Sequence, residues 1–205
     1  MTVSLREKQA QLTRTLVMDA TYRLLLEVGY TRTTIAAVAE RAGVAVPTVY
    51  KAFGSKASLI KQVYDRTLIG DDDDVPLAQR PQAAAILAEH DLRRAVAAYA
   101  VLAADLADRL APLLAVLLSA RHSDPQLEEF VATIERERLA GNQRFAEHLQ
   151  ESSDVAVPAD VARDVLWLYT APEVHYRLVQ QRGWSKQRFT DWLDTTLTAQ
   201  LLRAS

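Results

Sequence analysis

Apolar residues recur every three or four positions along most of the chain, the spacing of helices that bury one face. In the first stretch Val17, Ala20, Thr21, Leu24, Leu25 and Val28 form one such stripe. Ser4-Leu5-Arg6-Glu7 has the form of a capping box, so a first helix is expected to start at Ser4. Gly29, suited to a left-handed C-terminal position, is expected to end it. A second helix, capped by Thr33 or Thr34 and running through Arg41, repeats the stripe in Ile35, Val38, Ala39 and Ala42. Gly43-Val44 reads as a tight turn. A short third helix starts around Ala45–Pro47, where proline is tolerated because first-turn amides lack helical partners, and closes near Phe53-Gly54. Ser55 caps a fourth, with Leu59, Ile60, Val63 and Leu68 at its apolar positions.

Asp71–Asp74, followed by Pro76, interrupts the pattern, and four adjacent like charges favour a solvated loop. Helical text then resumes. Pro81 opens a short helix to about Glu89. Asp91 opens one to about Ala104, and another follows to about Ala120, with a kink allowed at Pro112. Asp124-Pro125 pairs a cap with a first-turn proline, and that helix runs to about Gln150. After a loop at Ser152–Val157, Pro158 opens a helix through Thr170 and Pro172 punctuates it. A further helix reaches Arg182, Gly183 stops it, and Ser185 caps a last one to about Leu202. The fold class is all-α.

Composition narrows the chemistry. The 205 residues carry a formal charge of −2 and no cysteine, which excludes disulfides, zinc thiolates, iron–sulfur clusters and cysteine nucleophiles. Apolar runs such as Leu110–Ser119 are too short to span a bilayer, and Arg6, Glu7 and Lys8 precede any apolar run, unlike a signal peptide. A soluble cytoplasmic protein without a membrane partner is expected. The charge is unevenly spread: residues 1–67 hold ten Lys/Arg against five Asp/Glu, leaving 14 basic and 21 acidic groups, a balance of −7, for the rest. Two readings stand open on charge alone, a polyanion-binding end and a chance fluctuation of solvated charge.

Two short helices joined at Gly43 and packed on a longer first one form a helix-turn-helix, in which the second short helix enters the major groove. Thr48, Tyr50 and Lys51 then face out, while Val44, Val49 and Phe53 can face in. Many helical hairpins share that bare pattern. The residues say more. Thr33-Thr34-Ile35 leading into Val38-Ala39-Glu40-Arg41-Ala42-Gly43-Val44, then Pro47-Thr48-Val49-Tyr50-Lys51-Ala52-Phe53-Gly54-Ser55-Lys56 and Leu59-Ile60, resembles the tetracycline-repressor (TetR) family of transcriptional regulators over residues 14–64. Ala20 and Gly29-Tyr30 fit the family's first helix, and Trp167, Pro172-Glu173, Tyr176, Arg182-Gly183-Trp184-Ser185 and Trp192-Leu193 resemble the end of one subset of it.

The resemblance implies a three-helix DNA-binding domain over residues 1–54, a connecting helix over 55–70, and a helical ligand-binding and dimerisation domain over 71–205. Carried over by position, Thr33 or Thr34 and Tyr50 would donate to phosphates, and Lys56 with the amide end of the fourth helix would clamp another. Val46, Pro47, Thr48 and Lys51 would meet base edges, the apolar pair against thymine methyls and Lys51 at guanine or a phosphate. Taken singly, Tyr50 reads equally as a packing residue and Lys56 as a solvated charge. Two positions depart from the family. Ala45 stands where serine is frequent and so removes a side-chain cap of about 1 kcal/mol. Ala52 replaces a common aromatic or histidine and removes one phosphate contact.

The partners the resemblance implies are a double-stranded palindromic operator, a small-molecule effector and a second copy of the chain. Val174, Leu178 and the Leu193, Leu197, Leu201 series are expected to pair with a mate in a four-helix bundle, intrachain core being the other reading. Tyr99, Leu102 and Leu106 share one helix face, Glu135, Arg138 and Asn142 another, and Trp167 and Thr170 a third; these are the candidate effector contacts, core packing or surface solvation being the other reading of each, and Arg138 equally able to pair with Glu135 along its own helix. The effector's identity and the operator sequence stay open. No catalytic residue, metal or cofactor is expected. His90, His122, His148 and His175 form no zinc-binding pair, no Gly-x-Ser-x-Gly elbow exists, and no Gly-x-Gly pair exists to cradle a nucleotide. A helical protein-interaction adaptor and a ligand-independent DNA-binding protein are the alternatives.

Overall fold

The computed structural model describes residues 4–70 and 77–203; the aspartate run Asp71–Asp74 and Pro76, expected as a solvated loop, lie outside the described residues. The helices are α1 (Leu5–Arg32), α2 (Ile35–Ala42), α3 (Val46–Phe53), α4 (Lys56–Ile69), α5 (Pro81–Ala88), α6 (Leu92–Ala120), α7 (Pro125–Leu149), α8 (Ala159–Tyr169), α9 (Pro172–His175) and α10 (Lys186–Leu201). Among the described residues the only β-type pairing is a single antiparallel bridge between Val155 and Leu202. That bridge, with Ala156 N donating to the Leu201 carbonyl at 2.8 Å, pins the expected 152–157 loop to the end of α10.

The chain divides into two compact units, Met1–Thr67 with Leu113–Val131, and Leu68–Pro112 with Ala132–Ser205. In the first unit the capping box at Ser4 is formed, with Glu7 N donating to Ser4 Oγ at 3.2 Å and Ser4 N to the Glu7 carboxylate at 2.7 Å. Gly29 (φ 78°, ψ 172°) bends α1 but does not end it, and one more turn follows to Arg32. Thr34 caps α2 by accepting from Ala37 N at 3.1 Å. Gly43, left-handed at φ 67°, closes it and aims the chain into α3. Val17, Leu25, Val38, Val49, Phe53, Leu59, Ile60 and Val63 are buried and hold α1 to α4 together.

The core of the second unit is built from Ile86, Leu92, Val96, Phe145, Leu149, Leu166 and Phe189 with Leu193, Leu197 and Leu201. The last three are fully buried within one chain, so they are intrachain core and not the rows offered to a mate. Among the exposed apolar residues of this unit, Val161 and Leu168 of α8 share one helical face seven positions apart, at 42% and 54% exposure. Where two helices were expected over 91–120, α6 runs unbroken through Pro112. The lost hydrogen bond is offset by burial of Leu110, Ala111, Leu113, Leu114 and Leu117 around it. The expected helix to Arg182 is α9 followed by a π-helical turn over Tyr176–Gln181. Among the described residues no helix is long and apolar enough to cross a membrane.

Candidate nucleic-acid interface and effector region

The α3 helix has two unlike faces. Val49 and Phe53 are buried, while Val46, Pro47, Thr48, Tyr50 and Lys51 are exposed, with half of the Tyr50 surface open to solvent. The Val46 side chain, the Pro47 ring and the Tyr50 ring place apolar surface in water on eight residues of helix, and Lys51 makes no ion pair among the described residues. Ala45 sits at the cap position in extended geometry (φ −74°, ψ 143°) with no side-chain cap bond, as the sequence implied. Pro47 occupies the first turn, where its missing N–H costs nothing.

The surroundings hold α3 at its C-terminal end. Arg14 of α1 donates to the Ala52 carbonyl at 2.8 Å, bonds the Gln62 side chain, and lies 4.8 Å over the Phe53 ring. Ion pairs Arg41–Glu27, Lys61–Asp65 and Arg66–Asp19 take up three of the five acids in residues 1–67, and Glu7 is spent on its capping box. The exposed Lys51 of α3 therefore meets little local negative charge.

Thr34 is exposed, its oxygen accepting the cap bond and its hydroxyl proton still available to a phosphate. Thr33 is buried and donates to the Gly29 carbonyl at 2.8 Å, so of the two threonines only Thr34 has an exposed side chain. Lys56 is half-buried. Its Nζ donates to the Tyr30 carbonyl at 2.7 Å and lies 3.7 Å over the Tyr30 ring. Burial lowers its pKa, and the Asp124 carboxylate opposes that shift. One of its three N–H groups is thus tied to the end of α1.

Tyr30 extends this arrangement. Its hydroxyl donates to Asp124 Oδ2 at 2.5 Å, joining the end of α1 to the residue that begins α7. Burial, then the hydrogen bond and charge of Asp124, push the phenol well above the ordinary tyrosine range. The same bond, with help from the Gln126 amide, holds Asp124 below the ordinary aspartate range. Sequence spacing could not announce this pairing across 94 positions, nor Arg14 across 38 to Ala52; only the cap role of Asp124 was legible.

In the second unit the candidate effector contacts separate into two groups. Tyr99, stacked on Phe145 at 4.2 Å, donates its hydroxyl to Asn142, and Thr170 lies within hydrogen-bonding reach of the same phenol. Asn142 is buried, and desolvation pushes the Tyr99 phenol up. Leu102 packs partly buried against this core, and Leu106 is likewise half-buried. Arg138 and Trp167 are instead part of a latch at the surface. Arg138 grips both Glu135 oxygens at 3.0 and 2.9 Å and the Trp167 carbonyl at 3.1 Å, while the Trp167 indole donates to Glu135 at 3.2 Å.

Comparison with known proteins bears on this arrangement. No curated protein matches the chain in sequence. Solved structures do match in fold. NalD of Pseudomonas aeruginosa, described as the secondary repressor of the MexAB-OprM multidrug efflux pump, is 16% identical with a TM-score of 0.70 over 95% of this chain and 98% of its own. SmeT, solved with triclosan, is 20% identical with a TM-score of 0.65 over 94% of this chain and 93% of its own. A TetR-like transcriptional regulator from Rhodococcus sp. RHA1 is 16% identical with a TM-score of 0.60 over 90% and 93%. Residues 17–63 match the family model described as bacterial regulatory proteins, tetR family, a span that contains α2, α3 and the exposed row on α3. Residues 17–63 thus carry the DNA-binding module that the tetR family model describes, and the chain as a whole is similar in fold to such regulators.

Proposed function

We propose that this chain is a cytoplasmic transcriptional repressor that binds a palindromic operator as a homodimer and leaves it when a small molecule binds the second unit. The observation that carries the reading is the exposed row Val46, Pro47, Thr48, Tyr50 and Lys51, on a helix whose other face is buried. Tyr50 and Thr34 donate to phosphates and fix register; Val46, Pro47, Thr48 and Lys51 meet base edges. Lys56, one N–H spent on Tyr30, still offers charge to a phosphate at the start of α4. Two copies whose α3 helices lie one DNA turn apart, roughly 34–36 Å, read the two half-sites. The exposed Val161 and Leu168 face of α8 supports pairing through the C-terminal helices.

The Tyr99–Asn142–Thr170 group supports effector binding in the second unit, as does the triclosan complex of SmeT. Coupling follows from chain continuity. Tyr99 and Asn142 sit on α6 and α7, and the same two helices carry Leu113–Val131 of the first unit. A ligand with different affinity for two settings of these helices shifts operator binding by that difference. Sedimentation of a labelled duplex from upstream of the gene, titrated with protein, tests the stoichiometry. Two chains per duplex are expected, and saturation with one chain contradicts the homodimer.

A further inference from the structure

The second unit contains a side chain that the reading above leaves unused. His175 is fully buried, and neither of its ring nitrogens has a hydrogen-bond partner. Among the described residues the only other buried side-chain nitrogen or oxygen in that condition is Arg109 Nε, on the residue after Asp108 of α6. Asp108 is also the nearest charge to His175, with Oδ1 3.6 Å from Nε2, beyond hydrogen-bond range. A buried imidazole without partners costs stability, so its retention asks for a compensating use. The backbone adds a second observation. His175 ends α9, and the next six residues form a π-helical turn, a geometry that is rare and concentrated at functional sites.

We propose that His175 is the polar anchor of an effector subsite for small neutral aromatic alcohols, the phenol class. This rests on the effector-responsive reading given above and specifies its ligand. A neutral imidazole presents one donor and one acceptor, and a hydroxyl, which can both give and receive, complements it. The side chains packed in series from the imidazole are aromatic. Phe189 stands edge-on to the imidazole at 4.9 Å, and Trp192 lies 5.7 Å from Phe189 and 6.0 Å from Trp184. The charges disfavour an anion. Asp108 faces the ring from α6, and the Lys186 ammonium of α10 is engaged with Asp105 at 2.8 Å and stands 3.9 Å from Asp108. Burial keeps the imidazole neutral by lowering its pKa, with Asp108 opposing and Lys186 reinforcing.

The test uses the full chain, phenol and toluene as probes, and His175→Phe as the variant. Titrations are followed by calorimetry and by nitrogen-15 spectra of the histidine side chains, with His175 assigned by its loss in the variant. Phenol is expected to bind saturably and move the His175 ring signals, while toluene leaves them in place. His175→Phe is expected to stay folded, with an unchanged or higher unfolding midpoint and unchanged DNA affinity, and to bind phenol at least tenfold more weakly. Equal phenol affinity in variant and parent overturns the proposal. So does a His175 signal indifferent to phenol, or an unfolding midpoint several degrees lower in the variant, which would assign the ring a structural bond. DNA binding by the same samples separates the two readings. Phenol binding without DNA binding removes the regulator and leaves the subsite; DNA binding without a His175 response does the reverse.

Discussion

Replacing Tyr30 by phenylalanine removes one oxygen and little else. The ring stays in the core, the Lys56 ammonium still lies over it, and the Lys56 bond to the Tyr30 carbonyl is untouched. What is lost is the 2.5 Å bond to Asp124. A hydrogen bond to a charged acceptor contributes about 1.5–3 kcal/mol to stability. Asp124 keeps its bond from the Gln126 amide at 2.9 Å, and water can reach the vacated lone pair. Solvent access discounts the loss to about 1 kcal/mol, or an unfolding midpoint lower by about 2–4 °C for a chain of this size. The pH dependence is the sharper signature. A phenol whose folded pKa is raised contributes stability that is present below the unfolded value of about 10 and lost as pH climbs through the folded value. A carboxylate whose folded pKa is lowered contributes stability that is present above its unfolded value and lost as pH falls through the folded one. The gap between parent and Tyr30→Phe in urea unfolding is therefore a plateau from about pH 5 to about pH 10, narrowing on both sides. Lys56 and the other titrating groups are common to both proteins and cancel. Absence of a gap at neutral pH, or one that persists unchanged to pH 11.5, refutes the coupling of α1 to the start of α7.

Ala45→Ser restores the missing cap of α3 in a backbone already extended at that position, and is expected to raise urea stability by about 0.5–2 kcal/mol; no gain would mean the α3 amides are already satisfied. Leu193→Ala should destabilise the chain by about 2–5 kcal/mol as a core truncation. Glutamate at both Val161 and Leu168 should instead leave the fold intact and yield monomers in sedimentation, and the opposite pattern would return the Leu193 row to a dimer interface. The depressed pKa of His175 contributes stability present above about pH 6.5 and lost as pH falls through the folded value. The parent should thus lose more urea stability between pH 8 and 5 than His175→Phe, and parallel profiles would exclude a buried neutral imidazole.

The helix-turn-helix was legible in the sequence because its determinants are local. The Thr34 cap, left-handed Gly43, first-turn Pro47 and alternating exposure of Val49 and Tyr50 each act within one turn of helix. The capping box at Ser4 and the Ser185 cap of α10 were legible for the same reason. Long-range choices were not. The apolar row Leu193, Leu197, Leu201 has the same spacing whether it faces its own chain or a mate, and only packing assigns it to the core. A helix boundary was expected near Ala104 and a kink allowed at Pro112, yet α6 runs on through both, burial of the leucines around Pro112 outweighing one lost bond. Thr33 and Thr34 were equivalent as caps until the bend at Gly29 turned the first inward. The Glu135–Arg138 pair was legible from its spacing of three, whereas its grip on Trp167 depends on the approach of α7 to α8, which no spacing encodes.

The central claim is that the outward face of α3 reads duplex DNA. It is tested most directly by the salt dependence of binding to a duplex from upstream of the gene, for the parent, Tyr50→Phe and Lys51→Ala. The parent's log affinity should fall linearly with log salt, and Tyr50→Phe should weaken binding evenly across sequences. Lys51→Ala should either relax base preference or reduce the salt slope by about 1, according to whether it meets a base or a phosphate. Parental affinity in both variants, or no binding by the parent at low ionic strength, would contradict the account.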